Sequence, residues 1–171
     1  KQFSTAYMKK ITLILALLLS FQTFSQKVNF DAKAIIAISD ADMAASAYTD
    51  GKLLKEKGAK DAFTVINFPI EKYGDEPKNV FVSNSSTGNI KSMVLSENNK
   101  LAYIIESRGV TNDNLNEVKN AITDLPMGSF VTVVDISELS QPKVLFKFPV
   151  GKNPIGIEKS PKGDYLAIWT E

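Results

Sequence analysis

Three acidic residues hold matching places in a chain that repeats itself. Glu106 and Glu171 each end a Leu-Ala-x-x-x-Glu sequence, and Asp50 lies over Glu171 when an earlier stretch is aligned with the last one. Carboxylate oxygens are the ligands that a hard cation such as calcium takes. If the fold gathers the three side chains, they could bind such an ion. Otherwise each can cap its own turn or pair with a neighbouring lysine or arginine.

The repeats predict which elements carry these residues. Pro77–Glu106 and Pro142–Glu171 have the same length, open on Pro-Lys and keep a phenylalanine at the fifth position. A third stretch, Ser39–Asp50, aligns without gaps with Ser160–Glu171. A fixed internal period indicates one supersecondary unit that the chain uses several times.

The repeated unit is predicted to consist of β-strands. Apolar runs, alternating or continuous, that are separated by Asn, Gly, Pro and Asp turn residues are typical of short strands. In the last copy the predicted strands are Val131–Ile136, Val144–Val150, Ile155–Lys159 and Tyr165–Thr170. Phe63–Asn67 repeats the pattern of the first of these strands. The expected fold is therefore all-β.

Two longer segments interrupt the repeat, Gly51–Ala62 and Ser107–Ser129. The second segment has a helical pattern, with Asn112–Asn114 as capping candidates. The apolar face of this predicted helix comprises Leu115, Val118, Ile122 and Leu125. We expect a surface helix that covers a sheet edge. The alternative is a lid or a binding loop, since long loops inside compact repeats are often functional.

The composition excludes several kinds of chemistry. The chain has no histidine, which excludes from these residues a Ser-His-Asp triad, an imidazole metal ligand and a histidine general base. It has no cysteine either, so neither a disulfide nor a lipid anchor on cysteine can form, and the fold depends on its core alone. The 20 basic and 19 acidic residues nearly cancel and form no basic stripe, so no nucleic-acid partner is expected.

The N-terminal residues predict export. Two lysines after Met8 are followed by the apolar run Ile11–Leu19 and then by small and polar residues, which is the order of a secretory signal peptide. The apolar run is shorter than the about 20 residues that cross a bilayer, so no membrane span is expected in the mature form. We predict that residues 1–7 lie upstream of the natural start and that a signal peptide runs from Met8 to about Ser25. Residues 26–171 are then a secreted or periplasmic domain, truncated at its C-terminal end.

Three motifs of the last copy resemble a known family. Ser160–Ala167, with the sequence SPKGDYLA, resembles the SPDGxxLYV turn of YVTN-type β-propellers. Phe148–Pro154, with the sequence FPVGKNP, resembles their IPVGxxP step, and Val133–Asp135 resembles their SVID strand. The resemblance to this lactonase-like, seven-bladed-class repeat family extends over about Ala34–Glu171. It implies an incomplete β-propeller of four-stranded antiparallel blades, with about two to three blades present.

The propeller topology that the resemblance implies would bring several loops together. Ile155–Lys159 would be the innermost strand of a blade and Tyr165–Thr170 the second strand. Loops that follow second strands or precede innermost strands would then open on one mouth of the propeller. The loops predicted at this mouth are Gly51–Ala62, Ser83–Asn89, Ser107–Ser129 and Gly151–Pro154.

The same topology implies a candidate metal site. Where the family has an asparagine, this chain has an acidic residue in all three copies. In a ring, Asp50, Glu106 and Glu171 would point toward a shared axis as a candidate calcium rim. Repulsion between like charges in such a rim would raise the pKa of some of its members. Calcium is the candidate cofactor, and no firm metal site follows from the sequence.

Two asparagines and an arginine are further ligand-binding candidates. Asn89 and Asn153 precede innermost strands and could present amides to a sugar or a lactone, or else satisfy backbone groups in their turns. Arg108, one of very few arginines, lies at the base of the long insertion. It could bind an anionic ligand or form a salt bridge within the loop.

The expected function is that of an exported binding or scaffold module with a small molecule or a protein as ligand at the loop-bearing mouth. One alternative is a hydrolase of the lactonase class, with Glu106 near the central funnel. Another is a structural surface repeat without a small ligand. No nucleophile paired with a base is visible in the sequence, so no catalytic residue is predicted and enzymatic activity stays open.

Overall fold

The computed structural model describes residues 31–41, 43–44, 46–70, 76–84 and 91–171. The predictions for the signal peptide, for Asn89 and for most of the Ser83–Asn89 loop lie outside these residues. Within the described ranges, no helix combines the length and the hydrophobicity needed to cross a bilayer.

The described part of the chain is built mainly from β-strands, so the prediction of an all-β fold is confirmed. The strands are β1 (Ala34–Ser39), β2 (Ala62–Asn67), β3 (Lys78–Phe81), β4 (Met93–Leu95), β5 (Leu101–Arg108), β6 (Met127–Asp135), β7 (Lys143–Pro149), β8 (Pro154–Lys159) and β9 (Leu166–Thr170). Two single-turn helices, α1 (Ala47–Asp50) and α2 (Ala121–Asp124), accompany them.

The strands form antiparallel sheets in which neighbours in sequence are also neighbours in space. The sheets have the orders β1-β2-β3, β4-β5-β6-β7 and β8-β9. The four strands predicted for the last copy are all present, although β6 begins earlier, at Met127. They belong to two sheets, because β7 is the last strand of one sheet and β8 the first strand of the next. One copy of the sequence repeat therefore supplies the last two strands of one sheet and the first two strands of the next.

Strand pairing shows which positions of the repeats are equivalent. Ser39 pairs with Ala62 in the first sheet, and Glu106 pairs with Phe130 in the second sheet. Since β2 and β6 share one alternating sequence pattern in the same register, β1 corresponds to β5. Ser39 therefore holds the place of Glu106.

The gapless alignment of Ser39–Asp50 with Ser160–Glu171 is consequently wrong. Its end corresponds to α1, a helical turn, whereas the matching residues of the last copy form strand β9. Alanine favours helix over strand, and Gly51 ends the turn with a left-handed φ of +75°. Asp50 is therefore not structurally equivalent to Glu106.

Strand β5 is buried on both faces and lies at the centre of the described fold. Ala102 and Ile104 pack in a cluster that also contains Phe63 of β2. Ile105, which points to the opposite face, packs in a separate cluster with Ile157 of β8. Successive side chains of a strand point to opposite faces, so a strand between two layers needs a continuous apolar run. The sequence Leu-Ala-Tyr-Ile-Ile meets this requirement.

The two insertions pack against each other, and we call residues 46–60 and 109–126 the paired insertions. The backbone amide of Val118 donates to the carbonyl oxygen of Gly51 at 2.8 Å. A hydrophobic cluster distinct from those between the sheets joins the two segments. Its buried members are Met43, Ala47, Leu53, Ala121 and Leu125.

The helix predicted in the second insertion is shorter than its pattern suggested. α2 spans four residues and is capped by Asn120, whose Oδ1 accepts from the amide of Ile122. Asn112, a predicted cap, instead forms a local turn with the amide of Asn114 at 2.9 Å. Asn, Asp and Thr are weak helix formers, and short helices need packing to be stable. Ile122, predicted on the apolar face, is 54% exposed.

Hydrogen bonds to Asp124 stabilise the start of α2. The backbone N–H of Asn120 holds the pKa of this carboxyl below its usual value of 3.8, and the hydroxyl of Thr123 lowers the pKa further. When the pKa of a carboxyl is lower in the folded than in the unfolded state, the group stabilises the fold at pH values above its unfolded-state pKa. The contribution is lost as the pH falls through the lower, folded-state pKa.

Gly51 and Gly58 offer a matched test of the paired insertions, since their φ values are +75° and +78°. A Cβ at Gly51 would collide with the carbonyl oxygen of Val118, whereas nothing lies within 4 Å of one at Gly58. We expect Gly58→Ala to lower the free energy of unfolding by about 1–2 kcal/mol, the cost of a left-handed alanine. Gly51→Ala should lower it further in urea unfolding and speed hydrogen exchange of the Val118 amide. Equal losses would contradict the packing of the paired insertions.

Candidate functional site

Strand β5 ends in three polar residues that are buried, although the rest of the strand is apolar. Glu106, Ser107 and Arg108 expose 8%, 0% and 2% of their surface. Other buried polar residues lie where neighbouring strands begin or end. Four of them are Asp61, Ser83, Asn84 and Asn153. We call these seven residues the polar end of the sheets. Burying a polar group is unfavourable unless it is hydrogen-bonded, so the partners of each residue matter.

Hydrogen bonds connect the end of β5 with the loops that follow β3 and β7. The amide of Ser107 donates to the carbonyl oxygen of Asn84 at 2.9 Å, and its hydroxyl donates to that of Pro154 at 2.6 Å. The amide of Asn153 donates to the carbonyl oxygen of Gly128 at 2.8 Å. The described parts of three of the loops that were predicted to share one mouth are thus in contact.

Glu106 lies between the first two sheets. Its Oε1 accepts a hydrogen bond from the hydroxyl of Ser83 at 2.8 Å. A Cβ at Gly128 would collide with the backbone carbonyl of Glu106 and meet its Cγ at 2.8 Å, so the space beside the glutamate requires a glycine. The carboxylate is therefore held in one place by a hydroxyl and by close backbone packing.

Asp61 organises the backbone at this end of the first sheet. Its Oδ1 accepts from the amide of Ala41 at 2.9 Å, and its Oδ2 accepts from the amide of Asn84 at 3.0 Å. Both oxygens of this buried carboxylate are thus hydrogen-bonded to backbone. The role of Asp61 is to position the loops before β2 and after β3.

Asn84 and Asn153 lie in the two connections between sheets, and each donates to the end of a strand. The Nδ2 of Asn84 donates to the carbonyl oxygen of Ser39, at the end of β1, at 2.9 Å. The Nδ2 of Asn153 donates to the carboxylate of Glu171, just after β9. The Oδ1 of each asparagine is buried and has no hydrogen-bond partner within the described ranges. The side-chain amide of Asn153 thus binds a side chain distant in sequence, whereas the predicted alternative to ligand binding was a bond to backbone groups in its own turn.

Arg108 is the third polar residue at the end of β5. Its Nε and Nη1 are buried, and neither has a hydrogen-bond partner among the residues that the structure describes. Nor do these residues supply an acidic partner, so the predicted alternative of a loop salt bridge is not seen there. The register between β5 and β6 shifts between Glu106 and Arg108.

The three carboxylates predicted as a calcium rim lie in different environments. Asp50 is exposed, and its Oδ1 accepts from the amide of Lys52 at 2.9 Å, which is the turn capping given as the alternative. Glu106 binds Ser83, and Glu171 binds Asn153. In the described part of the chain no three acidic side chains lie close enough to hold a metal ion. The calcium rim remains a prediction, and the described residues do not form a site for it.

A cavity of about 240 Å³ opens beside the polar end. Asp61 and Ser83 line it together with Phe81 and two lysines, Lys60 and Lys147. The ammonium of Lys60 lies 5.3 Å from the centroid of the Phe81 ring. Because the hydroxyl of Ser83 also donates to Glu106, the cavity is one side chain away from the buried carboxylate. Its two lysines give it a positive character.

Sequence reasoning missed Asp61, Ser83, Asn84 and Ser107 as members of the polar end. A local signal for three of them is present, because Ser83-Asn84 and Ser107 directly follow apolar runs. Polar residues that continue a buried strand are unusual, and they indicate a site where buried polar groups meet. Asp61 gives no such signal, because its two partners are backbone amides distant in sequence.

The hydrogen bond between Ser83 and Glu106 can be tested against an exposed pair of the same type, Ser137 and Asp135, which lie 2.6 Å apart. Ser83→Ala leaves an oxygen of a buried carboxylate without its donor, which costs about 1–3 kcal/mol of unfolding free energy. Ser137→Ala should cost less, because water replaces the lost donor. Urea unfolding of both variants measures the difference. A larger loss for Ser137→Ala would show that Glu106 is not confined as described.

Comparisons with known proteins do not assign the chain to a family. No protein-family model, no curated protein and no solved structure matches the chain. The functional conclusion therefore rests on the motifs of the sequence and on the contacts of the polar end.

Proposed function

We propose that the chain forms consecutive blades of a β-propeller. The order β4-β5-β6-β7 supports this, since a propeller blade is a four-stranded antiparallel sheet whose strands follow one another in sequence. The first sheet repeats the register of β5 and β6, and β8 starts a new sheet directly after β7. β4 and β8 are then innermost strands. The YVTN-type motifs Phe148–Pro154 and Ser160–Ala167 favour the same assignment.

In this proposal the protein is exported, and its polar end binds a small molecule. The unused hydrogen-bonding capacity at this end carries the proposal. Nε and Nη1 of Arg108 and the Oδ1 atoms of Asn84 and Asn153 are buried without partners in the described ranges. Buried polar groups in folded proteins nearly always have a partner. A ligand with acceptors for the arginine and donors for the amides would complete these hydrogen bonds.

The paired insertions would border this site. They connect β1 to β2 and β5 to β6, so both leave the sheets at the end where Ser39 and Arg108 lie. Lys55 of the first insertion donates to the carbonyl and hydroxyl oxygens of Thr111 in the second, at 3.2 and 2.8 Å. This cross-link fixes one wall beside the polar end, and small-molecule sites are usually such preformed concave places.

The second candidate function is a hydrolase of the lactonase class, and Glu106 favours it. The carboxylate is buried, and it accepts a hydrogen bond from a hydroxyl at 2.8 Å. A confined carboxylate can act as a general base or a proton acceptor. The described residues supply no histidine or metal cluster to assist it, so binding is the function that the geometry supports better.

Ligand screening tests the binding function. The protein is melted with sugars, lactones, organic acids and inorganic phosphate, and compounds that raise the melting temperature are studied by hydrogen exchange. We expect protection at residues 82–84, 105–111 and 152–154, because a bound ligand stabilises the native state there. Residues 137–145 are the internal control and should not change. Protection at residues 33–36 and 98–100 instead would contradict the site, and a screen without any stabilising compound would favour a structural surface repeat.

Lactone turnover distinguishes the two candidate functions. Glu106→Gln keeps the shape of the side chain and removes its charge, and Glu97→Gln is the control, since Glu97 is exposed and pairs with Lys159 at 2.7 Å. A binding module should show no lactone opening above background in the wild type or in either variant. Turnover that Glu106→Gln abolishes and Glu97→Gln preserves would replace binding by hydrolysis. Turnover unchanged in both variants would remove Glu106 from the reaction.

A further inference from the structure

Arg108 is the only arginine in a chain whose Lys+Arg total is 20. Every lysine that the structure describes is exposed or partly exposed, whereas the arginine exposes 2% of its surface. Arginine differs from lysine in its planar guanidinium, which stays charged when buried and matches the geometry of carboxylates and phosphates. The chain therefore uses the anion-recognising side chain at one place, and that place is buried.

The described residues around Arg108 do not neutralise its charge. Nε and Nη1 have no hydrogen-bond partner among the described residues, and none of the described acidic groups pairs with the guanidinium. The nearest acidic residue in sequence, Glu106, accepts a hydrogen bond from Ser83 instead. A buried charge without a partner strongly destabilises a fold. An isolated arginine at this position thus has a cost that a bound anion would offset.

The strand that pairs with the end of β5 is irregular. Glu106 pairs with Phe130 and Arg108 with Met127, so β6 has one extra residue between the two pairs. Irregular strand pairing of this kind is frequent beside functional sites. The cavity beside Ser83, the hydroxyl donor to Glu106, is lined by two lysines, Lys60 and Lys147, and by one carboxylate, Asp61, so its lining has a net positive charge.

We propose that Arg108 binds an anionic group, a carboxylate or a phosphate, of the ligand at the polar end. This inference rests on the proposed binding function and adds the chemical class of the ligand. The guanidinium donates hydrogen bonds to the anion and neutralises it, and the buried position excludes competing water. Neutral sugars and neutral lactones are then poor ligands.

Anion-dependent melting tests the inference. The protein is melted in chloride, acetate, citrate and phosphate at one ionic strength, so that general screening is constant. We expect a saturable rise of about 2 °C or more with the carboxylates or with phosphate relative to chloride. Comparing the rise in acetate and citrate with the rise in phosphate shows whether the site prefers carboxylates or phosphates. Wild type without any anion-specific rise would overturn the inference.

Variants assign the effect to the guanidinium. Arg108→Met should abolish the anion-specific rise, and Arg108→Lys should weaken it, because an ammonium lacks the planar fork. In chloride, Arg108→Met should melt at the same or a higher temperature than the wild type, since it removes an unpaired buried charge. Lys143→Met, at an exposed lysine that pairs with Asp135 at 3.6 Å, is the control and should keep the full rise.

Three results with the variants would overturn the inference. They are a full anion-specific rise in Arg108→Met, an equal loss of the rise in Lys143→Met, and a strong destabilisation of both Arg108 variants in chloride. The last result would mean that the arginine has a structural partner. A neutral compound that protects residues 105–111 equally in the wild type and in Arg108→Met would also overturn it but leave the proposed binding function intact. A screen in which no compound protects this end removes both.

Discussion

The burial of β5 on both faces is the constraint on which the rest of the described structure depends. One face packs on the first sheet through Ile104, and the other packs on β8 through Ile105. The strand is therefore apolar from its start, and its last residues remain between the layers after its composition has become polar. Glu106, Ser107 and Arg108 are buried because of where β5 lies, and the neighbouring loops must then supply their hydrogen bonds. The polar end forms because the central strand continues for three residues beyond its apolar run.

The two insertions and the two asparagines show how equivalent positions in neighbouring sheets come to interact. The β1–β2 and β5–β6 connections leave adjacent sheets at the same end, so their apolar residues can share one cluster with Leu53 and Leu125 at its centre. Asn84 follows β3 and donates to the end of β1 in its own sheet, whereas Asn153 follows β7 and donates to Glu171, just after β9 of the next sheet. The cluster between the insertions is thus a contact between copies that a single copy could not make.

Much of the fold could be predicted from the sequence, because strands and turns depend on local patterns. Val144–Val150 and Ile155–Lys159 nearly coincide with β7 and β8, since apolar alternation and Gly-Pro turns act over a few residues. The position of Asp50 in the fold could not be predicted. Which residues of two copies are structurally equivalent is set by strand pairing, here between β1 and β2, and not by sequence similarity alone. The candidate site was predictable in part. Glu106, Arg108 and Asn153 lie in the polar end, whereas Asp61 depends on amides more than 19 residues away.

The first two sheets are connected unequally at their two ends. At the polar end, side chains and backbone link adjacent sheets, as in the bonds of Ser107 to Asn84 and to Pro154. At the other end a cavity of about 550 Å³ lies between the first two sheets, lined by Ile36, Leu95 and Ile136 among others. If the first sheet rotates slightly against the second, we expect the pivot to lie at the polar end. A group at the pivot would keep its position while the far end moves, so strain between these two sheets would leave the geometry around Glu106 and Arg108 almost unchanged.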